Sequence, residues 1–425
     1  MALAALFIVL VLTLVMGTPI AIAFALSSLA YIVIDGLPQV LLLHTMLGGI
    51  DSFPLLAIPF FIFAGHLMNG AGLTDRIFDF AKSIVGWMPG GLGYVNVGSS
   101  VIFAGMSGAA VADAGGLGLV EIKAMRKAGY DDDFSVGITA ASSIIGPIIP
   151  PSLPMVIFGV MASTSIGKLF AAGIIPGLLM ALSLMAMVYY LSKKRNYPVD
   201  NKFSFSVVWY YSRKAFLPIL MPVIIIGGIL SGVFTPTEAA VCASFYALVL
   251  GFGVYRTLDF KKLMDIIIET VETTASILFI VAGAAIFAWI LTANQIANIF
   301  ADNLLEITTD PTLVLFIIVG VVLAIGLFME TIAAITILVP ILMPIAVIVG
   351  IDPIHLGVVV ILSLMLGLLT PPVGMVLYVL SKVAKVPFEK CVSATFIFLI
   401  PLIFILVLII IFPSIVTYIP NIYFS

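Results

Sequence analysis

From its first residue to about residue 415 the chain is a succession of apolar runs, each 16–25 residues long, separated by short polar stretches. A bilayer core about 30 Å thick needs about 20 apolar residues per helical crossing, so this pattern specifies a polytopic membrane protein built from α-helices. A transmembrane β-barrel would show alternating segments of about 10 residues, which the sequence lacks. With 63% hydrophobic and 9% charged residues and a mean hydropathy of +1.30, the chain is far from a soluble domain, where about a quarter of residues are charged.

The runs place full spans at 1–16, 17–34, 53–70, 134–162, 168–191, 214–233, 235–253, 273–293, 354–384 and 391–415. The N-terminal run has no basic leader and continues into further apolar sequence, so it reads as a retained span. Two regions, 92–127 and 311–350, are too long for one span and carry GMSGAA and METIAA at their centres. They read as re-entrant hairpins, which are tolerated only where buried in protein or lining a wet cavity. LPQVLLLHTMLGGID at 37–51 and LDFKKLMDIIIETVE at 258–272 read as amphipathic helices along the interface.

Charge tests the layout. With both long regions read as hairpins and the N-terminus placed outside, the segments on the inner face hold 17 of the 18 Lys and Arg residues; Lys168 is the exception. So lopsided a count follows the positive-inside rule and places both termini in the periplasm.

Two spans are interrupted. SSIIGPIIPPS occupies 142–152 and GLLTPPVG occupies 367–374. An interior proline costs a helix about 3 kcal/mol, because it has no N–H and its ring clashes with the preceding turn. The interruptions occupy equivalent places in two half-chains, 1–200 and 214–425, that match at an offset of 217–222. GTPIAIAFALSSLAYIVI at 17–34 aligns with FTPTEAAVCASFYALVLG at 234–251, RIFDF at 76–80 with NIFAD at 298–302, and hairpin with hairpin. Each half runs two spans, an interfacial helix, a span, a hairpin, a broken span and a final span. On the charge-derived topology the first hairpin opens inward and the second outward, so the halves are inverted repeats, the arrangement of many secondary transporters.

A helix broken at midplane exposes carbonyls, which favour cations, and N–H groups, which favour anions. The expected first Na⁺ site is Ser107, Gly108, Ser143, Gly146, Pro147 and Pro150. The second is Gly326, Glu330, Thr331, Gly367, Thr370 and Pro371. Substrate is expected at Asp113, Pro151, Ser152, Pro372 and Gly374, with Ser152 also able to cap the second half-helix. Asp113 and Glu330 could each bind a cation or cap hairpin backbone; Glu238, in TPTEAA, reads as a helix-start carboxylate. No Lys or Arg lies deep in the apolar runs, so an anion would be held by Na⁺, helix N-termini and hydroxyls.

Other classes are excluded. Cys242 and Cys391 lie in or beside apolar runs and read as packing residues rather than a disulfide. His44, His66 and His355 show no ligand spacing. No basic patch suggests nucleic acid. Neither GxSxG nor HExxH occurs, so the chain does not read as an intramembrane enzyme, and no cofactor beyond Na⁺ is expected.

GMSGAAVAD, SSIIGPIIPPS and GLLTPPVG, in this order and spacing, resemble the large membrane subunit of tripartite ATP-independent periplasmic (TRAP) transporters, of the DctM/SiaM type. The resemblance covers essentially the whole chain. It implies a multi-pass bacterial inner-membrane protein with an elevator-type fold. In it the hairpins and broken helices form a mobile transport domain, and the remaining helices a scaffold. It implies Na⁺-coupled import of organic acids, mainly sialic acids and C4-dicarboxylates. It implies two protein partners, a small four-helix membrane subunit and a periplasmic substrate-binding protein. The alternative is a stand-alone Na⁺/dicarboxylate symporter of the same superfamily, which needs no binding protein. Such symporters usually carry Ser-Asn-Thr signatures at the hairpin tips, where this chain has SGA and METIA.

Overall fold

The computed structural model describes residues 1–195, 197, 203–296, 298–300, 306 and 308–424, with the side chains of 105–107 outside that description. Lys202 and the end of the NIFAD stretch also lie outside the described residues. The described chain is helical with no strand. Among the described residues, seven helices of at least 18 residues are apolar enough to cross a membrane. The expected spans that fall short of that length are the two broken helices and the first two.

The first half begins with α1 (Ala2–Val15) and α2 (Ile20–Ile34), then the short α3 (Val40–Ile50) and α4 (Ala57–Gly70). At 1.5 Å per residue α1 reaches only about 21 Å. Next come α5 (Leu73–Val85) and the first hairpin: α6 (Gly91–Ser107), α7 (Ala110–Gly115) and α8 (Leu117–Lys127). The returning arm is thus two helices rather than one, parted at Gly115–Gly116, where AGGLG supplies three glycines and little helix propensity. The broken helix is α9 (Asp132–Ser143) and α10 (Leu153–Met161), followed by α11 (Ile166–Arg195).

The second half runs through α12 (Phe205–Leu230), α13 (Pro236–Leu248) and α14 (Phe260–Ala293). Thr235 and Glu238 form a capping box at the start of α13, so Glu238 is a helix-start carboxylate. The interfacial segment 258–272 does not stand apart as expected; it is the first third of the 34-residue α14. Nothing between Asp259 and Ala293 breaks a helix, and Glu269 and Glu272 lie on its exposed side. In the first half, GGIDSFP at 48–54 interrupts the chain, so α3 and α4 remain separate. The second hairpin is α15 (Pro311–Gly326) and α16 (Thr331–Val349); the second broken helix is α17 (Pro353–Gly367) and α18 (Met375–Ala384). The final expected span, 391–415, is α19 (Phe388–Ile411) plus a short amphipathic α20 (Ser414–Tyr423).

Packing is reciprocal between the halves. Helix α4 packs on α13 while α2 packs on α14. Helix α9 packs on α19 while α11 packs on α17. The second piece of each broken helix lies against the other half's hairpin, α10 on α16 and α18 on α7. Each such contact pairs one element with the counterpart of its partner's element. Outward faces of α1, α12 and α19 remain apolar, with Ile8, Val11, Phe216, Val223 and Phe404 exposed, as a lipid-facing surface requires.

Candidate functional site

Each hairpin tip is docked on the break of its own half. Hairpin 1 turns at Gly108, whose backbone is left-handed with φ 58°. A methyl group there would lie 2.8 Å from the Pro151 carbonyl oxygen and 3.2 Å from the Leu153 nitrogen. Only glycine fits both the turn and the approach. In hairpin 2, Gly326 meets Gly367: a Cβ on Gly367 would sit 2.6 Å from the Gly326 carbonyl carbon and 2.8 Å from its Cα and oxygen.

Inside break 1, Pro147, Pro150 and Pro151 bring no N–H, so carbonyls there lack the usual backbone donors. Ser152 caps α10: its Oγ accepts from the Met155 N–H (3.2 Å) and donates to the Pro147 carbonyl (2.5 Å). The Ser143 hydroxyl donates to the Ala140 carbonyl (2.8 Å). In break 2 the Thr370 hydroxyl donates to the Leu366 carbonyl (2.8 Å), and Gly374 starts α18 in the left-handed region. Both breaks contain a cis Pro–Pro bond, Pro150–Pro151 and Pro371–Pro372.

At the second tip Glu330 caps α16, with Oε2 accepting from the Ile332 (2.8 Å) and Ala333 (3.3 Å) N–H groups. Of the two roles left open for it, the geometry displays the cap. Thr331 beside it is buried, and its hydroxyl has no hydrogen-bond partner.

A cavity of about 270 Å³ lies where these parts converge. Its wall takes Ala109–Val111 from tip 1, Pro147, Leu153 and Pro154 from break 1, Glu330–Ile332 from tip 2, and Met365 and Leu368 beside break 2. Helix α14 closes it with Thr273, Ser276, Ile277 and Ile280. None of the lining residues is Lys or Arg. The N-termini of α10 and α16 open onto it; the Glu330 carboxylate already occupies that of α16, so α10 is the one that favours a bound anion, by about 0.3–1 kcal/mol. Two wider clefts, of about 440 and 600 Å³, touch neither tip and lack this convergence.

The expected residues divide around this cavity. Pro147, Glu330 and Thr331 line it. Gly108, Gly326 and Gly367 form the tip-to-break contacts behind it, and Ser143, Gly146, Pro150 and Pro151 lie in or beside break 1. Ser107 ends α6, but its side chain is outside the described set. Ser152 is turned inward onto Pro147, while Pro371 and Pro372 face outward and exposed. Asp113 is 2% exposed, and neither carboxylate oxygen has a hydrogen-bond partner.

Two groups of residues escape the sequence reading. Thr273 and Ser276, one turn apart at the start of the expected span 273–293, face the cavity from α14. The second group is a buried polar network inside hairpin 1. Asn96 Nδ2 donates to Glu121 Oε2 (2.6 Å) and to Thr139 Oγ1 (2.8 Å), and the Ser142 hydroxyl donates to Asn96 Oδ1 (2.6 Å). Ser99 Oγ lies 2.7 Å from Glu121 Oε1. Glu121 lies near the end of the region read as hairpin 92–127, beside Lys123 and Arg126, and α8 carries it into the protein at 1% exposure. Asn96 and Ser99, one helical turn apart in an apolar arm, were the available signal.

Reciprocally packed helical halves, two hairpin tips seated on two broken helices, and an enclosed cavity between them define a polytopic membrane protein built like a transporter. The chain belongs to the TRAP transporter large-permease family: the family model for the tripartite ATP-independent periplasmic transporter DctM component matches residues 7–415. The sialic acid TRAP transporter large permease SiaM of Vibrio cholerae is 49% identical over 408 residues, covering 96% of each chain. The sialic acid TRAP transporter permease SiaT of Haemophilus influenzae is 47% identical over 372 residues, which are 88% of this chain and 60% of that longer one. Among solved structures, the Alcanivorax borkumensis YdaH transporter shares the fold, with a TM-score of 0.64, 14% identity and 86% of each chain covered.

Proposed function

We infer that this chain is the large membrane subunit of a bacterial TRAP transporter that imports a carboxylate-bearing organic anion of the sialic acid type, driven by Na⁺. The observation that carries the reading is the cavity walled by both hairpin tips, break 1 and the approach to break 2, with no cationic side chain on it. A carboxylate there would meet the N-terminus of α10, the Thr331 hydroxyl and a bound cation, the half-helix chemistry of secondary transporters. The two Na⁺ would sit where each tip meets its break, with Gly108 against 146–151 and Gly326 against Gly367–Pro371. Gly and Pro remove the side chains and N–H groups that would otherwise occupy the carbonyls. The high identity to two sialic acid permeases supports that substrate class.

The halves are inverted repeats, both termini are periplasmic, and the inner-face loops carry the basic residues. Thr273–Ile280 belong to the middle third of α14, so the cavity lies near the middle of that helix, where the two repeats meet. Hairpins and broken helices move as the transport domain against the other helices. A small membrane subunit and a periplasmic binding protein complete the system. The matching family model does not favour the stand-alone symporter.

The test is uptake of labelled sialic acid into proteoliposomes holding this chain, its small subunit and its binding protein. Uptake that competing C4-dicarboxylate does not reduce supports the reading. Uptake of C4-dicarboxylate but not sialic acid would reassign the substrate, and uptake without any binding protein would favour the symporter.

A further inference from the structure

The hydrogens of the buried network in hairpin 1 can be assigned by counting donors. Ser99 has one hydroxyl proton. Its oxygen lies 2.5 Å from the Val95 carbonyl oxygen, and two oxygens come that close only with a hydrogen between them. A carbonyl brings none, so the Ser99 proton is on that contact. The same hydroxyl then faces Glu121 Oε1, 2.7 Å away, with a lone pair. That contact also requires a hydrogen, and Glu121 is the one group left to supply it.

The rest of the network agrees with this assignment. The Thr139 hydroxyl donates to the Ser135 carbonyl (2.7 Å), so it accepts from Asn96. This fixes Asn96 with its amide nitrogen toward Thr139 and Glu121 and its oxygen toward Ser142. Glu121 therefore accepts at Oε2 and donates at Oε1, the pattern of a neutral carboxylic acid.

We propose that Glu121 is a proton-binding site, a neutral acid whose O–H to Ser99 fastens the returning arm of hairpin 1 to its descending arm and, through Asn96, to Ser142 at the edge of break 1. The elements packed on α8 bring one other titratable group to it. Helix α7 contributes Asp113; α6 contributes Asn96 and Ser99; α9 contributes Thr139 and Ser142; and among the described residues no charged side chain of α18 acts on it. Two neighbouring carboxyls, both buried and without a cation, cannot both be ionised at reasonable cost, which agrees with a proton on one of them. Removing that proton would draw the Ser99 hydroxyl from the Val95 carbonyl to the carboxylate and leave a charge buried beside Asp113.

Infrared spectroscopy of the purified chain in detergent at neutral pH tests this without transport. Glu121→Gln keeps the shape, since its amide can donate to Ser99 and accept from Asn96. The spectrum of the wild type minus that of E121Q should contain a protonated-carboxyl C=O band that shifts down in D₂O. A difference spectrum with ionised-carboxylate bands in its place would overturn the proposal. Ser99→Ala gives an independent reading if E121Q fails to fold: it removes the acceptor, so the same band should move to higher frequency, and an unmoved spectrum in that region would also overturn it.

Discussion

Gly367→Ala is the sharpest perturbation the tip-to-break contacts offer. The added methyl would lie 2.6 Å from the Gly326 carbonyl carbon and 2.8 Å from two further backbone atoms. All three belong to main chain, so no side chain can swing aside. Restoring an ordinary 3.4 Å contact requires tip 2 to withdraw from break 2 by about 0.8 Å. Overpacking of this kind costs about 1–3 kcal/mol. Displacements near 1 Å in a preorganised site cost up to about 100-fold in function. Helix propensity works the other way, since alanine is about 1 kcal/mol better than glycine. The reciprocal change, Gly326→Ala, is the control: its methyl would meet Gly367 Cα and Leu364 no closer than 3.4 Å. In reconstituted uptake measured against Na⁺ concentration, G367A should need at least about 10-fold more Na⁺ for half-activation, while G326A stays near wild type. Equal behaviour of the two variants would refute the contact as the cation-holding geometry.

Other expectations follow from single groups. Thr331→Val keeps the shape and removes a buried hydroxyl with no protein partner, so it should leave thermal stability unchanged or higher while weakening Na⁺ activation; unchanged activation would remove Thr331 from the site. Ser152→Ala removes the α10 cap and the bond to Pro147, and should lower stability by about 1 kcal/mol in a detergent thermal melt. At the start of α9, burial works to raise the Asp131 carboxyl, but the Tyr197 hydroxyl, the Phe134 N–H and Arg195 outweigh it and hold it below its usual range. A depressed carboxyl contributes stability above its unfolded value, about pH 4, that is lost as pH falls through the folded one. Asp131→Asn should therefore lower the melting temperature at neutral pH and flatten its decline below about pH 4.

Much of this architecture could be read before the structure because lipid leaves few options. A run such as 391–415 must be a helix, and GPIIPP and TPP cannot continue one. The repeat then placed two hairpins against two breaks, and Gly108 and Gly367 are found at those contacts. What escaped depends on where helices face and end. Nothing in the sequence marks Glu121 as buried, since it stands two residues before Lys123 in a charged stretch; the glycines at 115, 116 and 118 restart the arm as α8 and turn Glu121 inward. Glu269 and Glu272 suggested an interfacial helix, although a charge on an exposed face does not interrupt a backbone. Thr273 and Ser276 reach the cavity on that continuous α14. The direction of Ser152 was hidden for another reason: a cap turned onto its own break, rather than toward a ligand, is set by local backbone geometry that spacing does not encode.

The central claim is that two broken helices hold the ions that drive uptake, and it is tested most directly by a flux ratio. Proteoliposomes with all three components, given an outside-high Na⁺ gradient and labelled Na⁺ and sialic acid, should admit both together, about two Na⁺ per substrate if each break holds one. They should accumulate nothing when Na⁺ is equal on both sides and no voltage is imposed. Accumulation of sialic acid with no Na⁺ entering would contradict the account.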